Sequence, residues 1–184
     1  MILSDIQMKI LSTYLPKRFQ IRRWEKIHRL AVDGAGLAGL LRKYVVTMGS
    51  SIMIIKDTND NKFGCFATDP WIMQKGYFGA GECFLFSTEF ARGFRISRWT
   101  KQNDYFQYVC KTSLQIGGGG KGFGIYLDDA LHRGTTSACD TFEGHAIGPP
   151  DFKIADLEVY CFPQQTPSSS PSMQPKQSPR HFLD

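Results

Sequence analysis

Hydrophobic positions near the start of the chain follow a helical spacing. The apolar stripe consists of Ile6, Ile10 and Tyr14. Ser4, with Gln7 three residues later, forms a capping box in front of this stripe, and Pro16 cannot continue a helix. The pattern therefore predicts a first helix between Ser4 and Pro16. A second short helix is predicted over 37–44.

Beyond Gly49 the spacing changes to that of short strands. A run at 51–56 that is typical of a buried strand is separated by turn-forming residues from a partner strand at 62–68, which predicts a hairpin. Further strands are predicted at 82–87, 94–100, 105–110, 122–127 and 156–162. No helix of crossover length separates these strands, so the sheets should be antiparallel. The predicted fold class is α+β, with two antiparallel β-sheets packed as a sandwich and flanked by short helices.

The composition divides the chain into one domain and a tail. Residues 1–162 contain enough apolar side chains for a full core, whereas 163–184 hold five prolines, five serines and four glutamines. We expect this Pro/Ser/Gln-rich tail to be disordered, because such a composition cannot bury a core. No apolar run approaches the roughly 20 residues of a membrane-spanning helix. We expect a cytoplasmic protein, either free or peripheral on an organelle or large assembly.

The five cysteines are widely spaced and form no CxxC pair. They are Cys65, Cys83, Cys110, Cys139 and Cys161. This spacing predicts free thiols in a reducing compartment and no zinc site. The four histidines show no ligand spacing, and no GxSxG nucleophile motif is present. We therefore predict no metal, no cofactor and no catalytic set.

Positive charge is concentrated near the start of the chain. The net charge is +5, and residues 1–50 hold nine Lys or Arg against three Asp or Glu. The candidate interaction patch comprises Lys17, Arg18, Arg22, Arg23, Lys26 and Arg29. It is either a solvated face or a contact for an acidic protein surface, lipid headgroups or nucleic acid. Specific nucleic-acid binding is disfavoured because few aromatic residues interleave with the cations.

A glycine run is the most conspicuous local motif. Its glycines are Gly117, Gly118, Gly119, Gly120 and Gly122. A dinucleotide-binding loop must open a helix, but the residues at 123–127 have the composition of a strand. A phosphate-binding Walker loop requires Ser or Thr after its lysine, whereas Lys121 is followed by glycine. We therefore assign the run a structural role as a tight turn.

Several segments occur together in the order found in one known family. They are Ile54-Ile55-Lys56-Asp57, Phe63-Gly64-Cys65-Phe66, the stretch 79–86, Trp99-Thr100 with 103–106, the stretch 123–128, and Leu157-Glu158-Val159. Over about residues 3–162 the chain resembles the TLDc domain, the family of oxidation-resistance proteins. The resemblance implies a β-sandwich, protection against oxidative stress and, for several members, binding to the vacuolar-type proton ATPase.

The resemblance also points to a candidate functional turn. It comprises Gly79, Gly81, Glu82 and Cys83, and Cys83 stands where the family often has serine. The leading hypothesis is a non-catalytic regulator of oxidative-stress resistance that binds a larger assembly such as the proton ATPase. The alternatives are a structural scaffold component and a peroxide-reactive thiol protein that uses Cys83 or Cys139.

Overall fold

The computed structural model describes residues 1–47, 49–89 and 93–163, with only the backbone of 45–47. Its helices are α1 (Asp5–Ser12), α2 (Lys17–Gln20), α3 (Leu30–Asp33) and α4 (Leu37–Thr47). Its strands are β1 (Glu25–Arg29), β2 (Ser51–Asp57), β3 (Lys62–Ala67), β4 (Phe84–Glu89), β5 (Gly93–Ser97), β6 (Gln107–Val109), β7 (Ser113–Ile116), β8 (Ile125–Asp128), β9 (Arg133–Thr135) and β10 (Asp151–Cys161). The capping box of Ser4 and Gln7 is present at α1, as predicted. The tail predicted to be disordered lies outside the described residues.

All strand pairings between these elements are antiparallel, and β10 connects two sheets. The order is β5-β4-β3-β2-β10-β9-β8-β7-β6, and β1 also pairs with β10. The second half of β10 pairs with β2 and β1, whereas its first half pairs with β9. The register shifts between Ile154 and Asp156, where the strand passes from one sheet to the other. Such a bulge bends a strand and increases its twist.

The main core lies between the two sheets. One face of the first sheet contributes Met53, Ile55, Phe63, Cys65 and Leu85, and the second sheet contributes Leu114, Ile116, Ile125 and Leu127. These side chains form one buried cluster, which is the arrangement of a sandwich. Helix α4 adds Leu40 and Tyr44 to the same cluster.

The opposite face of the first sheet is also buried. Side chains on this face alternate along the strands with those that point into the main core. They are Ile52, Ile54, Phe66, Phe84, Phe86 and Tyr160. The N-terminal segment covers them with Leu3, Leu11, Leu15 and Phe19. Burial of both faces explains why β2 has four consecutive apolar residues at 52–55 instead of an alternating pattern.

The structure confirms the predicted fold class and adds three strands that sequence patterns did not reveal. Strand β1 carries four charged or histidine side chains, which is tolerated because it lies at a sheet edge. Strands β7 and β9 span only four and three residues, too few for a periodic pattern. Strand β10 begins five residues before the predicted start at 156, because its bulge interrupts the alternation.

No helix among the described residues has the length and apolarity to cross a bilayer.

Candidate functional site

The turn at 79–83 is fastened to two neighbouring segments. The amide of Phe78 donates to the carbonyl of Gln107 and the Gln107 amide donates back, which closes a small bridge. The Ala80 amide donates to Thr68 Oγ1 at 2.9 Å, and the Cys83 amide donates to the Ala80 carbonyl at 3.0 Å. The turn is therefore held at both ends by hydrogen bonds.

Gly81 allows the turn to pack directly against an aromatic ring. A Cβ atom at this position would lie 2.2 Å from Cε3 of Trp99, closer than van der Waals contact permits. The Trp99 indole in turn donates to the carbonyl of Asn103 at 2.8 Å. Only glycine at position 81 leaves room for this close contact between turn and ring.

Asn103 and Thr141 connect the ring to the glycine run. Asn103 Nδ2 donates to the Gly118 carbonyl, and Thr141 Oγ1 donates to Asn103 Oδ1 at 2.7 Å. The Gly118 amide donates to Thr141 Oγ1 at 2.9 Å. Through these bonds the structure joins the candidate turn and the glycine run, two separate motifs in the sequence. We call this assembly of residues 79–83, 99–105, 117–122 and 140–141 the loop end.

The glycines of the run lie against neighbouring side chains. A Cβ at Gly120 would lie 2.6 Å from Asp140 Oδ1, and one at Gly117 would lie 2.8 Å from the Phe142 ring. Both glycines also have positive φ, which L side chains rarely adopt. These contacts give the run a structural reason to be glycine, without any bound phosphate.

An ion pair joins the candidate interaction patch to the turn. Both guanidinium nitrogens Nη1 and Nη2 of Arg18 donate to the Glu82 carboxylate, with Nη1 to Oε1 at 2.7 Å. The hydrogen bond from Arg18 lowers the pKa of the Glu82 carboxyl. Glu82 is thus an acceptor for an arginine on α2, and the basic patch and the turn meet at this residue.

The structure divides the six cations of the patch into two groups. Lys26 Nζ lies 2.6 Å from Glu158 Oε1, and Arg29 Nε lies 2.9 Å from Asp156 Oδ2. Together with Arg18, these side chains form ion pairs within the domain. The other three have no ion-pair partner within the described part of the chain: Lys17, Arg22 and Arg23. Within this patch, the positive charge that is not paired inside the domain is therefore confined to 17–23.

Glu158 is a fully buried carboxylate on the covered face of β10. It accepts hydrogen bonds from the Ile2 amide at 2.9 Å, the Tyr160 hydroxyl at 3.0 Å and Lys26. Burial raises the pKa of Glu158, but these hydrogen bonds outweigh it and hold the pKa below its usual value. The carboxylate thereby ties the N-terminal segment and β1 to β10.

The choice of Cys83 or Cys139 as the peroxide-reactive thiol was wrong. Cys83 is 1 % exposed, and its Sγ accepts a hydrogen bond from the Thr68 amide. Burial raises the pKa of Cys83, and burial also raises that of Cys139. Hydrogen bonds from Ser113 and Thr112 instead lower the pKa of Cys110, which is half-buried, to about 7.

We expect Cys110 to react with a thiol reagent before the other described cysteines. At neutral pH a pKa of about 7 leaves much of Cys110 as the nucleophilic thiolate. Mass spectrometry after brief alkylation of the native protein would locate the first label. Replacing Cys110 by serine should remove the fast phase, whereas the same change at Cys65, which is buried, should not. A fast phase that survives in the Cys110→Ser variant would contradict this assignment.

Two other carboxylates, those of Asp128 and Glu143, bind backbone amides. The Asp128 carboxylate, at the end of β8, accepts hydrogen bonds from the backbone amides of His132 and Arg133. The Glu143 carboxylate accepts a hydrogen bond from the Arg98 amide. Among residues 1–47, 49–89 and 93–163 no three His, Cys, Asp or Glu side chains lie close enough to hold a metal ion.

His28 on β1 is buried without hydrogen-bond partners. Its side chain is 2 % exposed overall, and neither ring nitrogen has a partner in the described structure. Asp33 Oδ2 lies 4.0 Å from Nδ1, and the same carboxylate pairs with Lys43. Burial lowers the pKa of His28, against the attraction of Asp33.

We expect this histidine to make the domain sensitive to acid. Because its pKa is lowered in the folded state, the unfolded chain binds the proton more readily near its usual pKa of about 6.5. The free energy of unfolding should therefore fall as the pH drops from about 7 to about 5. Denaturation with urea across this range should show a smaller fall in His28→Leu. His145→Leu, a change at an exposed histidine, should leave the fall intact; an equal fall in His28→Leu would disprove the assignment.

Comparison with known proteins agrees with the resemblance. The family model described as TLDc domain matches residues 1–163. Nuclear receptor coactivator 7 of Gallus gallus is 34% identical over 162 residues, which cover 88% of this chain and 18% of that protein. Oxidation resistance protein 1 of Homo sapiens is 32% identical over 157 residues, or 85% of this chain and 18% of that protein. The chain thus spans less than a fifth of the length of these relatives.

Proposed function

Because the chain belongs to the TLDc domain family, we propose that it is a non-catalytic regulatory module that contributes to oxidative-stress resistance. It acts by binding a larger protein assembly. One relative is named oxidation resistance protein 1, and this name supports the link to oxidative stress. The family resemblance suggests the vacuolar-type proton ATPase as the assembly, and a location in the cytoplasm or at the surface of an organelle.

The loop end is the surface that supports this proposal. Its backbone is cross-linked by Trp99, Asn103 and Thr141, so its shape is set before a partner arrives. A preorganised surface loses little conformational entropy on binding, which favours affinity. The side chains that it presents to solvent include Lys101, Gln102, Asp104 and Tyr105. A rigid backbone with mixed polar and aromatic side chains is suited to protein recognition.

Co-sedimentation with the soluble sector of a vacuolar-type ATPase tests the proposal. We expect the wild-type protein to bind and to change ATP hydrolysis. The double variant Lys101→Glu with Asp104→Lys exchanges two charges at the loop end without altering the net charge, and should weaken binding by roughly tenfold or more. The matched control, Lys75→Glu with Asp151→Lys, makes the same exchange at exposed positions elsewhere.

Each outcome separates the proposal from its rivals. Binding with altered hydrolysis, lost only in the loop-end variant, supports a regulator that docks through this surface. Stoichiometric binding without any effect on hydrolysis favours a structural component. Absence of binding at low salt contradicts the proposed partner, and equal binding by both double variants contradicts the proposed surface.

A further inference from the structure

The segment after α1 places an isoleucine in solvent among cations. Ile21 follows α2 directly and is 91 % exposed, the highest value among the exposed large hydrophobic residues. Lys17, Arg22 and Arg23 lie within four residues of it and form no ion pair in the described structure. Contact with a partner that covers this side chain would remove apolar surface from water, which is favourable.

The segment is held rigidly from below. Phe19 is buried against Phe66 and Phe162, with ring centroids 5.5 and 4.8 Å apart. The Arg22 guanidinium lies over the Phe19 ring, and Arg18 is tied to Glu82. The isoleucine therefore projects from an anchored turn and does not belong to a loosely held loop.

Trp24 adds an aromatic ring at the margin of this surface. It is half-buried and makes edge contacts with Tyr160 and Phe162, at 5.9 and 5.7 Å between ring centroids. Partly exposed tryptophan is enriched where protein meets the lipid headgroup region. The exposed Glu25 is the one acidic residue in 17–26. The surface thus combines a projecting aliphatic side chain, an aromatic margin and a net positive charge.

We propose that the surface formed by Lys17, Ile21, Arg22, Arg23 and Trp24 docks on an anionic lipid bilayer. The cations contact lipid phosphates and carboxylates, while Ile21 enters the boundary between headgroups and acyl chains. A bilayer suits this surface better than an acidic protein, because a projecting side chain needs a matching pocket on a protein but none on a fluid bilayer. The contact is peripheral and reversible, since one isoleucine and three cations form only a weak anchor.

This contact is independent of the proposed protein partner. The loop end presents other side chains, and Arg18 and Glu82 lie at the border between the two surfaces. A protein that failed to bind the soluble ATPase sector would still bind vesicles. Conversely, binding to that soluble sector requires no lipid, so the two experiments can fail separately.

Vesicle co-sedimentation with the full chain tests the inference. We expect binding to vesicles of phosphatidylcholine mixed with phosphatidylserine, little binding to phosphatidylcholine alone, and release by high salt. Ile21→Ser should weaken binding roughly tenfold, because it removes the inserted apolar surface. Lys17→Gln with Arg22→Gln and Arg23→Gln should weaken it on the order of 100-fold, because three charges near the membrane are lost.

Matched variants keep the test specific. Val32→Ser replaces another aliphatic side chain that is 76 % exposed, and should bind like wild type. The triple change Lys75→Gln, Lys111→Gln and Lys153→Gln removes three exposed lysines outside both proposed surfaces and should have little effect. Thermal unfolding of Ile21→Ser should match wild type, because the replaced side chain is exposed.

Two results would overturn the inference. One is equal vesicle binding by wild type, Ile21→Ser and the 17–23 triple variant. The other is absence of vesicle binding by wild type. If the same triple variant then also lost binding to the soluble ATPase sector, the cations would belong to a contact with an acidic protein surface.

Discussion

Replacing Glu158 by alanine is expected to destabilise the domain by about 3 kcal/mol. The change removes a fully buried carboxylate and leaves the Ile2 amide and the Tyr160 hydroxyl without their acceptor. Lys26 also loses its partner, but it is partly exposed and water can solvate it. We therefore expect a destabilisation near the lower end of the range that is typical when a buried ion pair loses one partner. Urea denaturation at neutral pH measures the difference.

Two further variants separate charge from hydrogen bonding at this position. Glu158→Gln keeps an acceptor for the Ile2 amide and should cost less than Glu158→Ala. Because the folded state lowers the pKa of Glu158, the stability contributed by its charge is present above the unfolded pKa of about 4.3 and is lost as the pH falls below it. The difference in the free energy of unfolding between wild type and Glu158→Gln should therefore become smaller at acidic pH. Glu25→Ala, at an exposed position on β1, should change stability little; an equal loss there would contradict our account.

Gly81→Ala is expected to destabilise the domain by about 2 kcal/mol and to disrupt the loop end. The added methyl group would overlap the Trp99 ring, which must move and give up its hydrogen bond to the Asn103 carbonyl. Intrinsic fluorescence should report a changed tryptophan environment, and thermal unfolding the loss of stability. If the loop end is the docking surface, binding to the ATPase sector should weaken at temperatures where the variant is still folded.

Gly39→Ala provides the matched control for that substitution. Gly39 lies inside α4, and an added Cβ would lie 3.8 Å from Nη2 of Arg42, an ordinary van der Waals distance. Alanine has the higher helix propensity, so this variant should be more stable than wild type by up to about 1 kcal/mol. A loss of stability at Gly39 equal to that at Gly81 would show that the effect of Gly81→Ala does not arise from contact with Trp99.

Contacts at Glu82 and Gly81 bring three separate sequence motifs into one assembly. In the sequence, the turn, the glycine run and the basic patch are separated by tens of residues. In the structure, Arg18 holds Glu82 from one side, and Trp99 packs against Gly81 from the other. Loss of Glu82 would therefore disturb the junction between the loop end and the N-terminal segment.

Much of the fold could be predicted because its signals are local. The capping box at Ser4 marks the start of α1, and the run at 51–56 with its following turn marks the β2–β3 hairpin. Strand β1 escaped prediction because an edge strand can carry Glu25, Lys26 and Arg29 with their charges at least partly in solvent, although His28 is buried. The network of Asn103 and Thr141 likewise escaped, because nothing in the order of residues shows that side chains 38 positions apart will meet.

The charges show the same difference between what the sequence and what the tertiary structure determine. The sequence alone shows that the excess of positive over negative charge lies in the first 50 residues, since every charged residue can be counted there. Which of those charges remain available depends on distant partners: Glu82 for Arg18, Asp156 for Arg29 and Glu158 for Lys26.

Periodic apolar spacing, capping and turn residues act over a few positions, and they establish the fold class of this protein from its sequence. Ion pairing, glycine contacts and the burial of a cysteine depend on which surfaces the folded chain brings together. The free cations around Ile21, the joined loop end and the choice of Cys110 over Cys83 as the accessible thiol therefore emerge only once the strands are paired and packed.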